Sequence, residues 1–279
     1  MRERKGLSDR LKGLTAMVSV GNRVCDVGCD HAFVPIYLIN KGISPYVLAM
    51  DVKKGPIESA KEHIREYGLE AYIETRLSDG LTEYKNGEAD TLICAGMGGR
   101  LMMSILDRDK TKTASFKEMI LQPQSEIEQF RYFLRSSGYL IVEENMIEEG
   151  GKFYSIIRTV NKGKSRETLT IEDSLRGSWE RKLGDALADS GQRQIEDTLT
   201  DSWQQQMEDR YGPFLIRNNN PVLVRYLEWE AGVYEEVLLQ LKTQDMSKEK
   251  IRERYDEVRV KLDDCLKVLG LISQSEREE

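Results

Sequence analysis

Metal-binding and redox chemistry are thinly provided for in this sequence. Its 279 residues hold four cysteines and two histidines. Cys25, Cys29, Cys94 and Cys265 form no C-x-x-C pair and no disulfide framework, which fits reduced thiols. A zinc site needs more Cys and His around one point, so no metal is expected. Also missing is any apolar run near the ~20 residues of a membrane span, and no apolar segment follows the basic N-terminal residues. These absences predict a cytoplasmic protein with no membrane partner. Net positive charge is absent as well: the formal charge is −7, which speaks against a broad nucleic-acid-binding face. The deficit is uneven, however. Residues 1–160 carry 22 Lys and Arg against 23 Asp and Glu, and residues 161–279 carry 19 against 25. The acidic excess belongs to the C-terminal part. A local basic face near the start, with Arg2, Arg4, Lys5 and Arg10, stays open.

What is present centres on Val24-Cys-Asp-Val-Gly-Cys-Asp-His31. It reads as a buried strand over 24–27 that breaks at Gly28 and feeds a helix from about Ala32 to Asn40. A strand, a glycine turn and a helix start make a cradle for a nucleotide-like ligand. An ordinary turn of any α/β protein would read the same. Before it, Leu7, Leu11, Leu14 and Val18 mark a helix over residues 1–20, with Arg10 and Lys12 off its apolar stripe.

Further along, other features fall at the ends of predicted strands. Tyr46–Met50 ends in Asp51, with Val52 beside it, about 20 residues past the turn, where a carboxylate can take both ribose hydroxyls. A helix follows at Gly55-Pro56, and His63 lies one residue off its buried stripe, as a surface or packing residue. A strand over 71–77 ends at Ser78-Asp79-Gly80, where Asp79 could accept from an adenine amine or simply cap a turn. A strand over 91–95 runs into Gly96-Met97-Gly98-Gly99, where the backbone must turn tightly or approach a ligand. Strand 118–121, helix 125–136 and the strand pair 139–146 and 153–160 complete a mostly parallel sheet with helices on both faces and an antiparallel hairpin at its edge. The dinucleotide fingerprint G-x-G-x-x-G fails after Gly28. An S-adenosylmethionine site has no pyrophosphate to hold and favours acids near its cationic end, which Asp26 and Asp30 could supply.

Together, Asp26-Val-Gly-Cys-Asp-His31, Gly55-Pro56, Arg76-Leu-Ser-Asp-Gly-Leu81, Ala95-Gly-Met-Gly-Gly99, Leu121-Gln-Pro123, Lys152-Phe-Tyr154 and the opening Leu7-Ser-Asp-Arg-Leu11 resemble the bacterial tRNA (adenine-22-N1)-methyltransferase family. The resemblance covers roughly residues 5–160. It implies a Rossmann-like α/β domain of the class I methyltransferase type, with seven strands and a terminal antiparallel hairpin, followed by a C-terminal helical coiled coil. It also implies methyl transfer from S-adenosylmethionine to N1 of an adenine in the D-arm region of tRNA. Asp26, Gly28 and Asp30 would then line the methionine side of the cofactor, Asp51 would hold the ribose, Asp79 and Gly80 would lie at the adenine, and Val52 would also touch the cofactor. Ala95, Gly96 and Met97 would border the point where donor and target base meet. The acidic stretch from about Ser165 to Arg210, with Trp179 and Trp203, departs from the family.

Adenine N1 is an in-plane lone pair and needs no strong base, but its methylated product is a cation. Asp30 or His31 is therefore the candidate for handling charge near the target, with Met97 alongside; His31 could equally pack against its helix. Arg4, Lys5, Arg10, Arg100, Arg108 and Lys110, with Arg2 and Lys112, are candidates for phosphate contact. The expected organisation is a cofactor-binding domain over 1–162, an acidic linker over 163–220 and a helical hairpin over 221–279, in a monomer. In that hairpin Leu223, Leu227, Tyr234, Leu238 and Leu241 face Ile251, Tyr255, Val258, Leu262, Cys265 or Leu266, and Leu269. The alternatives are a methyltransferase acting on another RNA or on a protein, or a cofactor- or RNA-binding scaffold without catalysis.

Overall fold

The computed structural model describes residues 6–162 and 201–273. The chain divides into two compact units, Met1–Thr168 and Leu169–Glu279. Arg2, Arg4 and Lys5, residues 163–200 of the acidic stretch and Trp179 lie outside the described residues.

The first unit is built on one seven-stranded sheet. Its strands are β1 (Val24–Val27), β2 (Val47–Asp51), β3 (Ile73–Leu77), β4 (Thr91–Met97), β5 (Glu118–Pro123), β6 (Tyr139–Glu149) and β7 (Lys152–Asn161). The spatial order is β3-β2-β1-β4-β5-β7-β6. The first five are parallel; β7 runs antiparallel to both β5 and β6. The mostly parallel sheet closing in an antiparallel hairpin is as the sequence predicts. β1 and β5 are buried at every residue, the mark of strands covered on both faces. The order reverses between β1 and β4, and such a switch opens a crevice at the carboxyl ends of the strands.

Helices α1 (Asp9–Ala16), α2 (Phe33–Asn40), α3 (Lys54–Glu66), α4 (Gly99–Arg108), α5 (Lys110–Thr113) and α6 (Ile127–Ser136) alternate with the strands. The first helix is shorter than its apolar stripe foretold, ending at Ala16. Ser8 caps it, accepting from the Leu11 N–H at 3.4 Å. It lies flat on the hairpin because Gly13 carries no side chain: an added Cβ would sit 3.1 Å from Ile147 and 3.3 Å from Ile156.

In the second unit, α7 (Asp201–Tyr211) and α8 (Pro213–Arg217) precede two long helices, α9 (Pro221–Lys242) and α10 (Glu249–Ser273). Asn220 caps α9 by accepting from the Val222 and Leu223 N–H groups at 2.9 and 3.1 Å. The long pair is antiparallel: the Cys265 thiol meets the Leu227 carbonyl at 3.3 Å, and the Lys242 ammonium lies over the Tyr255 ring. Cys265 is buried and Leu266 is 46% exposed, so the seam passes through the cysteine. Buried Glu230 accepts from the Tyr211 and Tyr226 hydroxyls at 2.7 and 3.0 Å and pairs with Arg210.

One buried ion pair fastens α6 to the hairpin. Arg131 Nε donates to Glu144 Oε1 at 2.8 Å, with both side chains almost fully enclosed. Removing one partner of such a pair strands the other charge. Arg131→Leu is expected to lower the unfolding free energy by about 3–5 kcal/mol, read as a fall in the urea midpoint at unchanged slope. A loss below about 1 kcal/mol would show the pair to be dispensable.

Candidate functional site

The carboxyl edge of the sheet gathers most of the residues singled out from the sequence. At its centre is the turn after β1. Gly28, Asp30 and Ala32 all have left-handed backbone, at φ +82°, +48° and +59°. Two of these are not glycine, and strain of this kind persists only where its surroundings hold it. Here the Gly28 and Cys29 N–H groups both donate to the Met50 carbonyl, at 2.8 and 3.0 Å. The turn is thus tied to the end of β2. Ala32 offers no side chain to cap α2, which leaves the start of that helix open to a ligand.

Gly28 is required twice over. Its φ disfavours a side chain, and an added Cβ would collide with the Met97 methyl group. The turn after β1 therefore nests directly against the glycine loop after β4. That loop is itself held: Gln124 N–H donates to the Met97 carbonyl at 2.8 Å, and Gly99 N–H to the Ser125 carbonyl at 3.2 Å. A Cβ on Gly99 would strike that same carbonyl.

Two carboxylates face this region differently. Asp26 is buried in β1 at 5% exposure. Burial, and then the charge of Asp51, push its carboxyl up to about 7. No cation lies against it among the described residues. Asp51, at the tip of β2, accepts the Lys53 N–H at 2.9 Å, which fixes its carboxylate and leaves further lone pairs for a ligand. Val52 beside it is 58% exposed. The end of β3 is drawn in by the Ser78 N–H to Asp51 carbonyl bond of 2.9 Å. Gly80, at φ +58°, packs on Ile105.

His31 Nδ1 lies 2.6 Å from Ser59 Oγ, and its Nε2 is 3.5 Å from Asp30. His63, Nδ1 3.0 Å from the His31 carbonyl, packs with the His31 and Phe33 rings. It is a packing residue, as its place on the helix implied.

The basic candidates separate. Arg108 donates to the Asp79 carboxylate at 2.7 Å, so one candidate for phosphate and one for adenine are bonded to each other. Arg100 pairs with Glu126 and Lys110 with Asp107, both on exposed ground. Lys112 donates to the Leu81 and Thr82 carbonyls at 3.1 and 2.7 Å and so braces that loop. Arg10 turns inward: its Nη1 donates to Gln122 Oε1 at 2.5 Å, and its guanidinium lies over the Tyr154 ring. Gln122, fully buried, and Tyr154 had no role assigned from sequence. A polar residue directly after the apolar run Met119-Ile-Leu121 was the available signal.

A reversed strand order, an antiparallel β7 inserted beside β5, and a glycine turn meeting a second glycine loop define the class I methyltransferase architecture. The comparisons agree. A family described as a methyltransferase domain matches residues 7–157. The tRNA (adenine(22)-N(1))-methyltransferase of Bacillus subtilis is 35% identical over 151 residues, 54% of this chain and 63% of that protein. The crystal structure of Streptococcus pneumoniae Sp1610, a candidate tRNA (m1A22) methyltransferase, superposes with a TM-score of 0.73 at 30% identity, covering 94% of this chain and 99% of that one. The same protein with S-adenosyl-L-methionine gives 0.71 at 28% identity, covering 94% and 99%. The chain belongs to the bacterial tRNA (adenine-22-N1)-methyltransferase family. Its aligned segment spans a little under two thirds of the Bacillus subtilis relative.

The state of Asp26 has a consequence for stability. An unfolded Asp titrates near about 3.9. The folded chain keeps its proton up to about 7. The folded state therefore binds more protons in that window, and stability falls as pH rises through it. Asp26→Asn is expected to flatten this slope, so that urea midpoints taken at about pH 5 and about pH 8 move closer together than in the parent. An unchanged slope would show that Asp26 is not the titrating group.

Proposed function

We propose that this protein transfers methyl from S-adenosylmethionine to N1 of adenine 22 in the D-arm region of tRNA, working in the cytoplasm as a monomer without a metal ion. The observation that carries the reading is the nesting of Gly28 against Met97 beside a buried, uncompensated Asp26, in a chain of this family. The absence of a described helix long and apolar enough to cross a membrane accords with it.

The residues suit the cofactor. A cationic amino or sulfonium group beside Asp26 would draw off its proton and supply the missing counter-charge. Gly28 lets ligand lie against backbone. Asp51, oriented by the Lys53 N–H, would take the ribose hydroxyls, and exposed Val52 would cover that end of the ligand. Bound S-adenosylmethionine supplies a methyl group already activated on a sulfonium sulfur. What falls to the chain is alignment and charge. Ala95, Gly96 and Met97 border the point of transfer and keep it narrow. N1 lies on the Watson–Crick edge, so the adenine must leave its stack to reach them. N1 gains positive charge as the bond forms, and Asp30, with His31 beside it, would stabilise that charge.

The test is methyl transfer from labelled S-adenosylmethionine to unmodified tRNA transcripts carrying adenine or guanine at position 22. Label that requires the adenine, recovered as 1-methyladenosine, is the expected result. Label that ignores the base would reassign the site, and cofactor binding without label on any RNA would reject the substrate. Asp51→Ala is expected to weaken cofactor binding about 10- to 100-fold while leaving the unfolding midpoint nearly unchanged. His31→Ala is expected to slow turnover with cofactor affinity kept; full turnover would reduce His31 to packing.

A further inference from the structure

We propose that Arg10 grips the phosphate of the extruded target nucleotide, and that Gln122 and Tyr154 are the residues that position it. The inference rests on the tRNA reading above and deepens it.

Arg10 is built in. Its backbone N–H donates to Glu149 Oε1 at 3.2 Å, its Nη1 to Gln122 Oε1 at 2.5 Å, and its guanidinium carbon lies 5.2 Å from the centre of the Tyr154 ring. Gln122 is 0% exposed, and its own amide nitrogen donates to the Pro123 carbonyl at 3.3 Å. Both ends of that amide are committed, so its oxygen can only face Arg10. Burying an amide in a strand core is costly unless it is bonded. Three segments, the start of α1, the end of β5 and the β6–β7 hairpin, converge on one guanidinium.

The place is the carboxyl edge. Gln122 stands opposite Ala95, and Pro123 opposite Met97, so the cluster begins one strand spacing, about 4.8 Å, from the proposed point of transfer. The state of the charge is telling. Apart from exposed Arg65 on α3, which has no ion pair among the described residues either, Arg23, Arg76, Arg100, Arg108, Arg131 and Arg158 each meet a carboxylate. Arg10 has none among the described residues; its polar partner is a neutral amide. A guanidinium has five N–H donors in a fixed fork, and most of these remain for an anion. The methylated adenine is a cation, so a cation against the base would oppose the reaction. The phosphate of the same nucleotide is the anion within reach, and a planar fork suits it.

The experiment uses the full chain and a tRNA transcript with 2-aminopurine at position 22, whose fluorescence rises on unstacking, beside single-turnover methylation of the adenine transcript. Arg10→Lys keeps the charge and loses the fork. Its cofactor affinity is expected to stay within about two-fold and its tRNA affinity within about three-fold. The fluorescence rise and the rate at saturating tRNA are expected to fall about ten-fold. Gln122→Glu, isosteric but neutralising, is expected to repeat that pattern with an unchanged circular dichroism spectrum. Parental behaviour in both variants would overturn the proposal. So would a loss confined to tRNA affinity with full rate at saturation, which is the signature of a peripheral phosphate contact. If the parent protein gives neither fluorescence rise nor label on tRNA, the substrate reading itself has failed, before any variant is compared, and the proposal falls with it.

Discussion

The close approach of Gly28 to Met97 is the constraint on which the rest of the site depends. Parallel strands β1 and β4 fix the two loops as neighbours, but they do not fix how near the loops come. That is set by the missing Cβ at Gly28 and by its left-handed backbone. From this contact the other features follow outward along one edge. The turn is tied to Met50 on one side, which presents Asp51; the β4 loop is tied to Gln124 and Ser125 on the other, which presents Gly96 and Met97. A larger residue at position 28 would not merely strain one turn. It would part the two loops whose closeness makes the crevice.

Electrostatics give that crevice a direction. Asp26 and Asp51 sit on adjacent strands, and the charge of Asp51 adds to burial in disfavouring the charging of Asp26. The free protein stores this as a proton that Asp26 keeps too long. A cationic ligand would release it, so the fold gives up some stability near neutral pH in exchange for a site ready for positive charge. On the far side of β4 the sign is opposite, with Arg10 and, among the described residues, no carboxylate to meet its guanidinium. On the proposed reading, an acidic pole for the donor and a basic pole for the nucleotide would lie on either side of Met97, the polarity that a reaction creating a cationic base from an anionic polymer requires.

Much of this was legible in the sequence, for identifiable reasons. β1 and β5 read as strands because both faces are covered and most of their residues are apolar, with Asp26 in one and Glu118 and Gln122 in the other as the exceptions. The glycine turn, the acid after β2 and the loop after β4 read as a site because glycine and aspartate at strand ends have few cheaper explanations once they recur. The seam through Cys265 rather than Leu266 was open, since heptad spacing allows either and only packing decides. The basic residues were the least legible. Spacing along the chain does not say that Arg108 reaches Asp79, 29 positions away, nor that Arg10 turns inward across 112 positions to Gln122. Long side chains choose partners by tertiary proximity, and local pattern carries no record of it.

Gln122 illustrates the limit most sharply, and also what lies behind it. In the sequence it is a polar residue between Leu121 and Pro123 in a strand whose other residues are buried, a conflict between pattern and chemistry. Such conflicts are tolerated where something other than folding needs the residue. An apolar side chain there would pack as well and spare the desolvation of an amide. It would also leave Arg10 free to pair with a carboxylate such as Glu149, already 3.2 Å from its backbone nitrogen. The neutral amide holds the guanidinium in place without cancelling its charge, which a carboxylate could not do and a hydrocarbon could not hold. That distinction is what the proposed phosphate contact would use, since among the described residues no anion meets the guanidinium.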